Sequence, residues 1–261
     1  MKARFFHCIL RRSAVSLTAL TFATTVVSAH ATSLVINGGF DLTTTGLATG
    51  IGSNNGGNSP ENDVVGWSTS GYNFVFAPGS ADTTGSHTYQ YSADLTLFGP
   101  GNGVENGLPA TSPQGGNFVG MDGAYETSPL QQTINGLVAG DQYVVGFYWA
   151  GAQQNGVNYN SATTEQVQVS LGTETISTAI VDVAEHGFSG WEHENFTFTA
   201  TSDSEVLSFL AQGTPGGEPP FALLDGVTMN APSVPEPSSL ALVLTGFAGA
   251  GGFVRSRFKK A

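Results

Sequence analysis

Gln166-Val167-Gln168-Val169-Ser170-Leu171 sets apolar against polar residues in strict alternation, and Asn195-Phe196-Thr197-Phe198-Thr199-Ala200 repeats the pattern. A period of two places every second side chain on one face, so each segment reads as a half-buried strand. Working outward, the same reading gives strands over 33–37, 64–69, 73–76, 117–121, 130–134, 142–149, 174–181, 205–211 and 221–229. Asn135-Gly136 and Ala139-Gly140-Asp141 supply turn chemistry between two of them. Residues 46–62 are rich in Gly, Asn and Ser and read as loop. Many short strands joined by Gly-rich connections, with no long amphipathic helix between them, predict an all-β fold, an antiparallel β-sandwich.

Charge divides the chain into three. The eight Lys and Arg residues are Lys2, Arg4, Arg11, Arg12, Arg255, Arg257, Lys259 and Lys260, all at the ends. Thr32 to Ser233 holds nineteen of the twenty Asp and Glu and no Lys or Arg, a formal charge of −19. This excludes nucleic-acid binding, which needs cations for the phosphates, and phosphoryl transfer, which normally uses a cationic clamp. The 202 residues of this stretch form one expected domain, 32–233.

The ends read as targeting segments. Lys2, Arg4, Arg11 and Arg12 precede an apolar run from Ala14 to Val27, and Ala29-His30-Ala31 is a small-residue cleavage site. A secretory signal peptide over 1–31 is expected, with an uncleaved anchor helix as the alternative. Cys8, the single cysteine, would leave with it. At the other end Pro235-Glu236-Pro237 precedes an apolar stretch, 238–254, and then four basic residues. Those 17 residues make roughly 26 Å of helix, short but workable against about 30 Å of hydrocarbon, with the basic cluster on the cytoplasmic side. In this order the three parts, spanning 234–261, resemble the PEP-CTERM sorting signal. The resemblance implies a membrane-embedded exosortase as partner, with Pro235, Glu236 and Pro237 recognised. It also implies a Gram-negative envelope location, membrane-anchored or cell-surface and extracellular after sorting, in a bacterium that makes extracellular polysaccharide.

A second resemblance covers nearly all of the exported stretch. Leu34-Val35-Ile36-Asn37-Gly38-Gly39-Phe40-Asp41 is similar to the opening strand of galactose-binding-like jelly rolls, with Asp41 where Glu is usual. Gly115-Gly116-Asn117-Phe118-Val119-Gly120-Met121-Asp122-Gly123, Leu130 to Leu137 with Gly140 to Tyr143, and Pro220 to Val227 follow in the order of that fold. The resemblance implies a carbohydrate-binding or cell-surface module.

Candidate site residues follow from burial and chemistry. Asp225 shares the phase of Phe221, Leu223, Val227 and Met229, so it should point inward unless a bulge at Gly226 resets the register. A buried carboxylate needs a partner, and with no Lys or Arg in the domain a divalent cation is the natural counter-charge, Ca²⁺ among oxygen ligands. The jelly-roll resemblance implies Asp41 and Asp225 as ligands of a structural Ca²⁺; the alternative is Asp225 accepting backbone N–H bonds at a turn without metal. Of the histidines in the domain, His186 and His193 lie near acids, but without zinc-site spacing; His87 stands apart from them. Trp67 and Trp191 follow glycines and read as core residues. Tyr148 and Trp149 are expected to end a strand and lead into a polar loop carrying Gln153, Gln154 and Tyr159, the best candidate for a neutral glycan, with an ordinary connection as the alternative. No placed nucleophile, base or metal triad indicates catalysis. The expectation is a non-enzymatic glycan-binding surface protein; the rivals are a structural envelope protein and a glycan hydrolase.

Overall fold

A computed structural model describes residues 33–44, 50–51, 64–86 and 94–231. The expected signal peptide 1–31, the sorting segment 234–261 with its apolar stretch, and His87 lie outside those residues. Among the described residues, no helix is long and apolar enough to cross a membrane.

The strands among these residues are β1 (Gly50–Ile51), β2 (Asn73–Phe76), β3 (Phe118–Asp122), β4 (Leu130–Asn135), β5 (Gln142–Gln153), β6 (Thr163–Leu171), β7 (Glu174–Ser177), β8 (Val181–Val183), β9 (Glu192–Thr199), β10 (Ser204–Thr214) and β11 (Pro220–Asn230). They form two antiparallel sheets, ordered β1-β2-β3-β11-β5-β9 and β4-β10-β6-β7, with β8 also on β6. This is the expected sandwich. The alternation quoted at the outset is visible in β6, where Val167, Val169 and Leu171 are buried and the residues between them are half-exposed.

Two cores result. Between the sheets lie Tyr143, Val145, Phe147 and Trp149 of β5, facing Val167 and Val169 of β6 and Leu207 and Phe209 of β10. The second core lies on the opposite face of the six-stranded sheet. There Phe74, Phe76, Phe118, Ala150, Phe221 and Leu223 are covered by Ala81, Leu95, Leu97 and Leu108 from outside the strands. Such central strands are apolar on both faces and lose their alternation, as the fully buried β3 shows.

Three expected strands are corrected. Residues 34–39 bend and turn, because Asn37 and Phe40 take positive φ and the Asn37 side chain bonds the Leu42 N–H and the Leu42 and Val65 carbonyls. Residues 64–69 make only single bridges, at Val64 and Ser68, around a turn at Gly66. The stretch 174–181 breaks into β7 and β8, because Thr178 turns its N–H and hydroxyl back onto Val167. Trp67 is a core residue as expected: it packs on Phe40 and Phe209, and its indole N–H donates to the Asn37 carbonyl at 3.0 Å. Trp191 is half-buried, edge-on to Phe118 in the second core.

The bulge at Gly226 decides where Asp225 points. The register of β11 on β5 shifts between Asp225 and Thr228, and Gly226 has φ +62°. Before the bulge Ala222 and Leu224 face the inter-sheet core; after it Val227 and Met229 do. Asp225 therefore keeps the phase of Phe221 and Leu223, on the second-core face of the sheet, and is fully buried as expected, while the bulge that the sequence allowed at Gly226 separates it from Val227 and Met229. A Cβ on Gly226 would also stand 2.5 Å from the Gln114 side chain. Gly226→Ala is accordingly expected to cost about 1–3 kcal/mol, measured as a lower denaturant midpoint with unchanged slope.

Candidate functional site

One end of the sandwich gathers the C-terminal ends of β3, β5 and β10 and the N-terminal ends of β2, β6 and β11. The loops leaving these ends enclose a cleft of about 500 Å³. Its lining includes Tyr72, Tyr125, Tyr159, Gln154, Asn155, Asp94 and Asp122.

Local hydrogen bonds set this geometry. Asp122, the last residue of β3, accepts the N–H groups of Ala124, Tyr125 and Glu126 at 2.8, 3.0 and 3.2 Å, folding the next turn around its carboxylate. That turn presents Tyr125, 68 % exposed, and the Glu126 carbonyl receives the Tyr72 N–H. On the other side Gln154 N–H donates to the Pro219 carbonyl and Asn155 N–H to Thr96. His186 buckles this wall: its ring nitrogen meets the Tyr159 carbonyl at 2.6 Å, its N–H donates to Gln153 Oε1, and its ring stacks on Phe98 at 3.9 Å. His193 is exposed on β9 beside Tyr148.

The expected ligand residues separate. Gln154 and Tyr159 line the cleft. Trp149 does not: β5 runs on to Gln153, and the indole is 0 % exposed between the sheets, so it cannot serve as a stacking platform. Tyr148 faces the opposite way, half-buried against His193, about 17 Å along the strand from Gln153. Gln153 is fully buried and works as a strut, its amide donating to the Ser161 carbonyl. Sequence reasoning missed Tyr72, Tyr125, Asp94 and Asp122, which lie far apart in the chain and meet only through strand order. The Asp122-Gly123 turn signal after a strand was the one available cue.

Asp41 and Asp225 are brought to a common place. A Cβ on Gly39 would stand 3.6 Å from Asp41 Oδ2 and 3.9 Å from Asp225 Oδ1. Asp41 accepts the Asn117 N–H at 2.8 Å and is exposed. Asp225 is fully buried; one oxygen accepts the Ser112 hydroxyl, and Oδ1 has no hydrogen-bond partner. Burial pushes the Asp225 carboxyl up to about 7 against the hydrogen bonds from Ser112 and Gly226, and the nearby Asp41 charge adds to the rise. An orphaned buried carboxylate oxygen facing a second carboxylate suits a hard cation, so these residues fit the Ca²⁺ that the resemblance implies.

Glu165 carries a second buried carboxyl, at the cleft end of the inter-sheet core, and neither oxygen has a partner. Burial, then the Asp122 charge, pushes it well above the ordinary carboxylate range.

No protein-family model matches the chain, and no curated protein sequence does. Solved structures similar to it include TmCBM61 in complex with β-1,4-galactotriose, at 16 % identity and TM-score 0.34, covering 64 % of this chain and 90 % of that one. A CBM4 structure is similar at 18 % identity and TM-score 0.33, covering 76 % and 99 %. The CBM22-1–GH10 modules of Clostridium thermocellum xylanase 10B, complexed with xylohexaose, are similar at 15 % identity and TM-score 0.34, covering 67 % and 28 %.

Two outcomes are expected. Trp149→Ala should destabilise the fold by about 3–5 kcal/mol, as for other large-to-small core changes, seen in the denaturation midpoint. For Asp225 the folded pKa, about 7, lies above the ordinary 3.8. The proton is thus bound more tightly in the folded state, and the associated stability is complete below about pH 4 and lost as pH rises toward 7. Melting in chelator across that window should show this decline, and Asp225→Asn should make it shallower, leaving the part that Glu165 contributes.

Proposed function

We propose that the chain is an exported, non-catalytic glycan-binding protein whose binding site is the cleft at the loop end of the sandwich. The observation that carries this reading is that three tyrosines, a glutamine and an asparagine line one cavity, on loops at the ends of paired strands. A phenol ring offers a flat apolar face to the C–H face of a pyranose, while amides and phenol hydroxyls bond its hydroxyl groups. The volume falls within the roughly 300–1,000 Å³ typical of small-ligand pockets.

Two of the carboxyl groups near the cleft support binding without turnover. Asp122 is tied into its own turn by three N–H bonds, and Glu165 is sealed behind the wall. Asp41 and Asp225 would hold a structural Ca²⁺, whose role is to neutralise a buried carboxylate pair and fix the turn at 37–41 against β11.

The setting we propose is the Gram-negative envelope. Basic ends around a cation-free middle suit a chain whose extremities stay inside while the domain is exported. Exosortase would act on Pro235-Glu236-Pro237, with 238–254 holding the protein at the membrane beside extracellular polysaccharide.

Calorimetry with neutral β-1,4-linked oligosaccharides tests the site. Saturable binding is expected, weakened about tenfold by Tyr125→Ala or by Tyr159→Ala, which is about 1.4 kcal/mol each. Absence of binding to every neutral and charged glycan tried would remove the reading. Added Ca²⁺ should raise the melting temperature of the parent chain and leave Asp225→Asn unmoved.

A further inference from the structure

Glu165 touches no ligand in the reading above, yet it lies at the roots of the cleft. It shares the phase of Val167 and Val169, so its side chain points between the sheets, where it is fully buried and neither carboxylate oxygen makes a hydrogen bond. Three glycines make room for it. A Cβ on Gly123, just past β3, would stand 2.7 Å from Glu165 Oε1, one on Gly213 of β10 would collide with the same oxygen, and one on Gly151 of β5 would lie 3.3 Å from the Glu165 Cβ. At this layer the backbone clasps the two sheets together. Gly213 N–H donates across the sandwich to the Gly123 carbonyl at 2.8 Å, and Gly123 N–H donates to the Pro220 carbonyl at 2.9 Å. Each end of the clasp roots one side of the cleft: Gly123 opens the turn that carries Tyr125, and Gly213 leads into the loop of Gly216 and Gly217.

A carboxyl held in this layer has to be uncharged, because a buried carboxylate without a partner costs far more than the neutral acid. Burial first, then the Asp122 charge, tightens its hold on the proton; the Gln166 N–H favours the charged form but does not reach hydrogen-bond geometry. Among the described residues Asp122 is the titratable group that faces it. Around it β5, β8, β10 and β11 bring Gly151, Val181, Gly213 and Pro220. Asp182 of β8 lies opposite Thr164 and is exposed, Glu218 accepts the Ser161 N–H at 3.3 Å, and the His186 ring is turned to the Tyr159 carbonyl. No Lys or Arg occurs between residues 13 and 254 to hold the anion. Once ionised, the carboxyl has to reach water, and since its oxygens lie against Gly123 and Gly213, leaving the layer parts the backbone bond between them. Building on the glycan-binding reading, we infer that Glu165 is a proton-operated latch of the cleft: its neutral carboxyl lets the clasp close and holds both sides of the cleft in place, and its ionisation opens the clasp and weakens glycan binding. The proton is bound more tightly in the closed state, so closure is complete at ordinary carboxylate pKa values and below, and is lost as pH rises above them.

The test combines calorimetry of the full-length chain with a neutral β-1,4-linked oligosaccharide and hydrogen exchange at the Gly123 and Gly213 amides, both followed against pH. Affinity is expected to fall at least about tenfold from about pH 5 to about pH 8, and the protection factors of the two amides to fall with it. Glu165→Gln, which cannot ionise, should flatten both profiles, and Glu165→Met, apolar and of similar length, should do the same. Asp225→Asn should leave both profiles in place. An undiminished pH profile in both Glu165 variants, amides that stay protected in the parent while affinity falls, amides that open while affinity holds, or a profile lost in Asp225→Asn overturns the inference. If the oligosaccharide binds at no pH, the underlying glycan reading fails instead, and the exchange profiles of the parent and Glu165→Gln still decide whether Glu165 works the clasp.

Discussion

A domain with nineteen carboxyl groups and no Lys or Arg cannot neutralise a buried acid with an ion pair, and the structure is arranged around that constraint. Each buried carboxyl meets it differently. Asp122 collects three backbone N–H groups and becomes the hub of a turn. Glu205 does the same for Thr201 and Ser202. Asp225 has a hydroxyl on one oxygen and nothing on the other, beside Asp41. Glu165 has no partner and is held toward its neutral form by burial. Backbone donors spent on carboxylates shape the turn after β3 that stands beside the cleft.

The second core decides where the candidate site can lie. A sheet face of a sandwich is a natural place for an extended ligand, but here one face of the six-stranded sheet is occupied by the chain itself, through Ala81, Leu95, Leu97 and Leu108. A concave region stays accessible at the loop end, where strands from both sheets stop together. Their ladders fix the loop roots, and short hydrogen bonds such as the one from His186 to Tyr159 fix the walls.

Much of the fold was legible in the sequence. Where one face of a strand is buried and the other half-exposed, as in β6, side-chain alternation states the conformation directly. It fails in two situations seen here. Near Leu34 an apolar run resembles a strand, yet the Asn37 side chain ties itself to the backbone of Leu42 and Val65, and these hydrogen bonds override hydrophobic pattern. In β5 both faces are covered, so the sequence offered no sign that the strand would pass Trp149 and continue to Gln153. That single extension carried the expected aromatic platform into the core and left Gln154 and Tyr159 on the surface.

The sequence alone determined most of the strands, the sandwich class, the absence of Lys and Arg between the ends, and the kind of chemistry its carboxylates and amides could offer, because these depend on composition and on contacts a few residues apart. Only the tertiary structure decided that Asp225 turns away from the inter-sheet core after all, that Asp41 comes to meet it, and that Tyr72, Tyr125 and Tyr159 share one cleft. Those outcomes depend on a one-residue bulge that exchanges the faces of a strand and on which strands are neighbours. Both are properties of long-range pairing, which no local period encodes.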